Sequence, residues 1–564
     1  MSRQQSQIVH GVGVSAGRVI GPVRRMTAPL AAPPEGAPLP EGSSVEEETA
    51  RLAEATGRVA QRLKERAALA TGDARAVLKA TALMAADKTL LKSASALVAS
   101  GTRAESAIWE AADAVATQLS ALGGYMAERA TDVLDVRARI VAELRGEPAP
   151  GIPDERQPFV LLAEDLAPAD TATLDPSRVL ALVTAEGGPQ SHTAIIARSL
   201  GLPAVVAARD SQRLAEGQEV FVDGVSGQVI PDPGQAQRQL SEAYARREPL
   251  PAFDGAGRLG DGTAVALLAN VGSGSDARSA AAAGAEGVGL LRTEFCFLGR
   301  DSEPEHAEQV AAYQAVFQAF EGRKVVVRTL DAGADKPLPF LTDTAEPNPA
   351  LGVRGYRTDA SVPGVLARQL AAIAEASRSS TAQVWVMAPM VSTAQEAADF
   401  AALAAQAGLD TSGVMVEVPS AALLAAPILQ RCDFVSIGTN DLTQYTMAAD
   451  RQLGALAALN DPWQPAVLHL VQATAQGARS SGGKPVGVCG EAAADPALAV
   501  VLVGLGVASL SMNQRALPAV AQVLRGVDSH TARRLAQLAL HAASAAEARQ
   551  LVRAELPDLQ RFGL

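Results

Sequence analysis

The chain has 564 residues, more than one hydrophobic core ordinarily supports, so about three or four domains are expected. Hydrophobic residues make up 48% and aromatics only 3%, and no run reaches about 18 uninterrupted apolar residues, which argues against a membrane-inserted chain. A formal charge of −12 without any block of clustered Lys and Arg disfavours nucleic-acid binding, because a phosphate backbone demands concentrated positive charge.

The opening "MSRQQSQIVHGVGVS" has no basic region followed by a long apolar stretch, so no secretory signal is read and a cytoplasmic location is expected. Residues 1–25 have a β-like, Gly-punctuated texture. "MTAPLAAPPEGAPLPEGSS" then breaks any regular element, and from Val45 to about Arg145 the pattern is helical, with Glu46, Glu47 and Glu48 placed to favour a helix dipole. Short β-rich runs follow "GEPAPGIPDERQP": "FVLLAED", "VLALVTAEG", "PAVVAA", "EVFVDG" and "GQVIPD". Their likeness to the opening predicts one α/β domain from residues 1–25 and 146–232, with a helical domain, 26–145, inserted in it. A helical linker, 233–260, leads to 261–564.

In that last segment eight β-branched runs alternate with helical patterns: "AVALLANV", "GVGLLRTE", "KVVVRTLDAG", "VWVMAPMV", "VMVEVPSA", "FVSIGTND", "PVGVCGE" and "SLSMN". Eight strands joined by helices predict a closed (β/α)8 barrel, so the fold class is multidomain α/β. Active groups of such barrels gather at the C-terminal ends of strands. There the sequence places Arg292 and Glu294, Arg328 and Asp331, Glu417, Asn440 and Asp441, and Cys489 and Glu491, with Arg354 and Arg451 in following loops. Arginine forks suit phosphate and carboxylate oxygens, and Glu417 with Asp441 offers the hard oxygens that Mg2+ prefers. A small phosphorylated acid bridged to Mg2+ accounts for both; ion pairs closing the barrel rim account for the same charges. Cys489 is either a small buried residue or, with a pKa near neutral, a proton donor to a carbanion.

In "EGGPQSHTAIIARSLGLPAVVA", Gly187 and Gly188 permit a sharp turn, Pro189 fixes one φ, and Ser191 caps a helix whose first turn holds His192. A phosphate carried on that imidazole would meet the free N–H groups of the helix start, worth about 0.3 to 1 kcal/mol. A neutral His there is a competent nucleophile, and it is equally an ordinary polar first-turn residue. His10, His306, His469, His530 and His541 show no metal-ligand spacing, and three scattered cysteines form neither a disulfide framework nor a thiolate zinc site.

"GGPQSHTAIIARSLGLPAVV", "GVGLLRTEF", "VVVRTLDAGADKPLP", "NPALGVRGYR", "VMVEVPSA", "SIGTNDLTQYTMAADR" and "GVCGEAAAD" together resemble, in order and across most of the chain, the phosphoenolpyruvate-protein phosphotransferase family, enzyme I of the bacterial sugar phosphotransferase system. The resemblance implies a swivelling α/β domain in which His192 takes the phosphoryl group of phosphoenolpyruvate. His192 then passes it to a histidine-containing phosphocarrier docked on the helical domain. It further implies substrate contacts from Arg292, Arg328, Asn440, Asp441 and Arg451, with Arg354 and Lys336 near the phosphate. Glu417 and Asp441 would hold Mg2+, Cys489 would protonate the enolate to pyruvate, and the barrel would form a homodimer.

The chain departs from the family pattern where Gln190 precedes the Ser-His pair, where Ala167 replaces a hydroxyl residue, and at Gln452. "AVLKATALMAADKTLL" lacks the familiar His, and 26–147 holds 14 basic and 17 acidic residues, no strongly acidic docking surface. Two other readings compete. A dikinase or synthase acting on phosphoenolpyruvate would need a nucleotide-binding domain ahead of the histidine, and a non-catalytic phosphoenolpyruvate sensor would need neither His192 nor Cys489.

Overall fold

Runs of Val, Leu and Ala alternate with turn residues through the first unit, residues 1–242, while the second, 243–564, repeats strand and helix with near-regular spacing. The computed structural model describes residues 8–564 except 28–29, 70–80, 83, 123, 148–150, 154, 156, 167–173, 189–190, 299, 333–337, 344–345, 452, 454–455 and 457. Lys336, Ala167, Gln190 and Gln452 therefore lie outside the described residues, as does part of the "AVLKATALMAADKTLL" segment.

In the first unit, strands β1 (Val9–His10), β2 (Val12–Ser15) and β3 (Arg18–Arg25) share one sheet with β4 (Phe159–Ala163), β5 (Val179–Thr184), β6 (Ala204–Val206), β7 (Glu219–Asp223) and β8 (Gln228–Pro231). Their order is β1-β8-β7-β3-β4-β5-β6-β2. The parallel pairing of Val23 with Val160 joins strands on either side of the long helical segment, so the Gly-punctuated opening does pair with the later strands. Successive residues of β4 enter opposite cores. Val160 and Leu162 pack with Val205 and Val222, whereas Phe159 and Leu161 pack with Leu182 and Ala197, which is why "FVLLA" is continuously apolar.

Between β3 and β4 run the helices α1 (Val45–Leu69), α2 (Lys88–Ala99), α3 (Ala104–Leu122) and α4 (Gly124–Arg145). They bury their own cluster, including Leu52, Ile108, Val136 and Ile140. Asp87 caps α2 through bonds from the backbone N–H of Thr89 and Leu90. Arg51 ties three helices together, pairing with Glu48 at 2.8 Å and with Glu105, and donating to the Leu144 carbonyl at 2.8 Å.

The second unit contains eight parallel strands: β9 (Ala266–Val271), β10 (Gly287–Arg292), β11 (Lys324–Arg328), β12 (Gln383–Ala388), β13 (Ser412–Val416), β14 (Phe434–Ile437), β15 (Val486–Val488) and β16 (Ser509–Met512). Pairing of β16 with β9, Leu510 opposite Leu267, closes the barrel. All eight predicted runs form its staves. Its interior holds Leu290, Val326, Met387, Met415, Phe434 and Cys489, while the larger core lies between staves and surrounding helices. Among the described residues no helix is long and apolar enough to cross a membrane.

Candidate active site

The barrel's C-terminal mouth is where the charged residues named from sequence converge. Arg328 ends β11 and is 8% exposed. Its Nη2 donates to Glu294 Oε1 at 2.9 Å, and its Nη1 lies 3.2 Å from Asp331 Oδ2 and 3.8 Å from Glu417 Oε1. Burial opposes the cation, but Glu294, Asp331 and Glu417 outweigh it and raise the Arg328 pKa. Arg354 forks onto Asp331 through Nε at 3.2 Å and Nη2 at 2.9 Å, while its Nη1 reaches Asp441 Oδ1 at 2.9 Å and Tyr445 Oη at 3.2 Å. Arg451 closes the chain of contacts, 3.3 Å from Asp441 Oδ2. Asp331, although burial would raise it, is held down at about 2 by Arg354 and Arg328.

Glu417 is different. It is 1% exposed, and its Oε2 accepts from the Met390 N–H at 2.9 Å, where Met390 adopts a left-handed φ of 60°. Burial first, then the charges of Asp441 and Asp331, push its carboxyl up to about 8 despite Arg328 and Arg354. At Glu417 burial and the neighbouring carboxylates together thus outweigh the two arginines. Among the described residues no ready cage of three or more acidic, His or Cys ligands exists. Glu417 and Asp441 are the two carboxylates here that could hold a cation whose remaining positions are filled from water and substrate.

Arg292 ends β10 and carries no hydrogen bond or ion pair among the described residues, so its fork is uncommitted. Asn440 Oδ1 accepts from the Glu491 backbone N–H at 3.1 Å, which fixes the amide and leaves its NH2 to donate. Cys489 is 3% exposed and donates to the Ile437 carbonyl at 3.6 Å. Burial lifts its thiol to about 11, with Ser436 and Arg328 opposing and Glu417 adding to the rise. The expectation of a pKa near neutrality is therefore corrected: the buried thiol keeps its proton through the physiological range. Cys432 is buried and Cys296 partly so, both free.

Three buried polar atoms without partners among the described residues also stand here: Glu294 Oε2, Arg328 Nε and Thr439 Oγ1. Close approach of the chain at this mouth leaves no space for side chains, since a Cβ on Gly490 would fall 1.9 Å from Thr439 Oγ1. Ion pairing and ligand readiness therefore coexist. Arg328, Arg354 and Arg451 are paired as the rim alternative foresaw, while Arg292, Asn440, Glu417 and Cys489 keep unspent capacity.

Sequence reasoning missed several supporting groups. Asn270, at the end of β9, donates to the Cys489 carbonyl at 3.1 Å and accepts from Ser511 at 2.6 Å. The strand-end rule that found the charged residues would have found Asn270 had neutral amides been counted. Ser436, inside β14, carried no such cue.

His192 lies in the first unit, opening the helix α5 (His192–Leu200). Ser191 caps it, accepting from the Ala194 N–H at 3.3 Å, Gly187 turns the approaching chain at φ 87°, and Gly201 ends the helix at φ 70°. Thr193 is fully buried and donates to Asp165 Oδ1 at 2.7 Å, and the same oxygen accepts from the Leu166 N–H at 2.8 Å. Asp165 thus ties the segment after β4 to the start of α5, a link the sequence did not announce.

Three family profiles match in chain order: "PEP-utilising enzyme, N-terminal" over residues 10–129, "PEP-utilising enzyme, mobile domain" over 155–227, and "PEP-utilising enzyme, PEP-binding domain" over 254–529. The chain is 50% identical over 553 residues to a phosphoenolpyruvate-protein phosphotransferase of Streptomyces coelicolor, covering 97% of this chain and 99% of that protein. It is 41% identical to one from Haloferax volcanii, covering 81% and 82% respectively. With a multiphosphoryl transfer protein of Xanthomonas campestris pv. campestris it shares 39% identity, over 97% of this chain and 67% of that one.

Proposed function

The chain belongs to the phosphoenolpyruvate-protein phosphotransferase family, and from that premise we propose which of its residues carry the transfer of a phosphoryl group from phosphoenolpyruvate, through His192, to a phosphocarrier protein. The observation that carries this reading is the barrel mouth, where Arg292, without a side-chain partner among the described residues, the buried Arg328, Glu417 with its raised carboxyl and Cys489 with its raised thiol stand at the ends of β10, β11, β13 and β15.

Arg292 and Arg328 bind the substrate phosphate, and Asn440 with Arg451 holds its remaining oxygens. Arg354 keeps Asp331 and Asp441 in register for this, and Lys336 is assigned to the phosphate's vicinity. Glu417 and Asp441 would hold Mg2+, which when bound would supply neutralisation of the charge spread over phosphate and carboxylate oxygens. The neutral imidazole of His192 attacks phosphorus; an N–P bond forms, the P–O bond to the enol breaks, and the electron pair leaves with the enolate. Cys489 gives its thiol proton to the enolate's methylene carbon, producing pyruvate, and the thiolate is reprotonated from solvent because its pKa lies far above neutrality. The phosphohistidine then donates to the histidine of the carrier, for which α1 to α4 serve as the docking domain.

The domains proposed are 1–25 with 146–232 for the phosphohistidine unit, 26–145 for docking, 233–260 as linker and 261–564 for substrate binding. Exposed Leu351, Leu423, Leu424 and Leu453, in the segments that follow β11, β13 and β14, support pairing of two barrels in a homodimer. A cytoplasmic location follows from the substrate and carrier.

Incubation with phosphoenolpyruvate labelled in its phosphate, with and without Mg2+, tests the assignment. Acid-labile label is expected on wild type with Mg2+ and none on His192→Ala; label persisting on the variant would overturn it.

A further inference from the structure

Bulky branched side chains ordinarily fill the interior of a closed parallel barrel, and one side of this interior departs from that habit. Three adjoining staves turn small or polar residues inward there. The strand register sets Ser436 of β14 opposite Gly487 of β15, and Gly487 opposite Ser509 of β16. Cys489 follows Gly487 on the same face, one level nearer the mouth, and packs in the interior.

A Cβ on Gly487 would stand 2.7 Å from Ser509 Oγ and 3.8 Å from Ser436 Oγ, so the glycine keeps the two hydroxyls around a common space. That space is a cavity of about 10 Å3, room for one water, with hydroxyls to hold it. Lys324 and Ser509, the first residues of their strands, and Pro485, just before β15, line it, so the cavity lies at the floor of the barrel. Ser436 and Ser511 line it from further along their strands.

These two serines are used differently. Ser511 gives its proton to Asn270 Oδ1 at 2.6 Å, and Asn270 donates to the Cys489 carbonyl at 3.1 Å, so Ser511 steadies the backbone. The buried Ser436 is hydrogen-bonded instead to the Cys489 side chain, where it favours the thiolate, the effect of a hydroxyl donating to sulfur. Cys489 is 3% exposed, and a substrate in the mouth covers its sulfur from above.

We propose that Ser436 reloads Cys489 from beneath: a water in the cavity over Gly487 passes protons from the barrel floor through the Ser436 hydroxyl to the thiolate left when pyruvate forms. This rests on the assignment of Cys489 as proton donor. The Ser436 O–H bond breaks as the S–H bond forms, the water gives a proton to the Ser436 oxygen, and solvent at the floor returns one to the water. One proton enters from solvent and the sulfur's electron pair becomes the S–H bond, so no further reactant is needed.

The full chain is incubated in D2O with Mg2+, unlabelled phosphoenolpyruvate and 13C-labelled pyruvate, and mass spectrometry follows carbon exchange between the two acids together with deuterium entering the pyruvate methyl group. Wild type is expected to take up deuterium as fast as it exchanges carbon, because Cys489 equilibrates with solvent between half-reactions. In Ser436→Ala, and in Gly487→Ala, whose methyl takes the water's place, protium removed from one pyruvate is returned to the next enolate. Deuterium per carbon exchanged should then fall about tenfold, whatever the change in carbon exchange itself. A ratio unchanged in either variant, including equal slowing of both labels as a merely structural role would give, would overturn the relay. Wild type that exchanged carbon without deuterium would overturn the relay and leave transfer to His192 standing, whereas wild type that exchanged no carbon would remove both.

Discussion

Cys489 keeps its proton because it is buried beside Glu417, and this single environment governs both chemistry and pH response. Its folded pKa of about 11 exceeds the ordinary 9.0, so the stability it contributes is complete below about pH 9 and is lost as pH rises through about 11. Alkaline denaturation of Cys489→Ser should lack that loss, measured as unfolding midpoint between pH 8 and pH 11. In turnover, Cys489→Ala should release pyruvate about 100-fold or more slowly, the scale of a lost general acid, with His192 labelling still detectable in a single-turnover assay. Glu294 makes a second residue-scale case. Removing its carboxylate leaves Arg328 with Asp331 as its nearest partner, so Glu294→Ala should cost about 1.5 to 3 kcal/mol in urea unfolding, the scale of a lost hydrogen bond to a charged group, and raise the KM for phosphoenolpyruvate.

The helix α5 shows how an element acquires a function its own sequence only half encodes. Cap and turn glycine were readable, because each is a local backbone requirement. The bond from Thr193 to Asp165 was not, because 28 residues separate partners that only the folded sheet brings together. Asp165→Ala should remove about 1 kcal/mol of that tie and slow phosphorylation of His192 several-fold in rapid-quench measurements, with unchanged circular dichroism. The staves of the barrel behave the same way. Their apolar runs, lengths and polar ends announced eight strands and the charged residues of the mouth, yet nothing in those runs said that Asn270 would reach past the intervening β16 to the Cys489 carbonyl.

For the whole molecule, the exposed leucines after β11, β13 and β14 give self-association a measurable consequence. If the proposed homodimer forms through them, Leu423→Glu combined with Leu453→Glu should shift the sedimentation coefficient toward a monomer at micromolar concentration, and an unchanged value would count against that pairing. By itself the sequence determined the order of elements, the closed parallel barrel, the participation of the first strands in the later sheet, and which charged residues meet at one mouth. Periodicity, turn chemistry and strand ends are local properties, and they are written residue by residue. Only the tertiary structure decided how those charges are shared: which arginines are spent on Asp331 and Asp441, that Arg292 has no side-chain partner among the described residues, that Glu417 is pushed up to about 8, and that burial raises the Cys489 thiol. Those outcomes depend on burial and on distances of about 3 Å between residues far apart in the chain, and desolvation exists only once the barrel has closed around them.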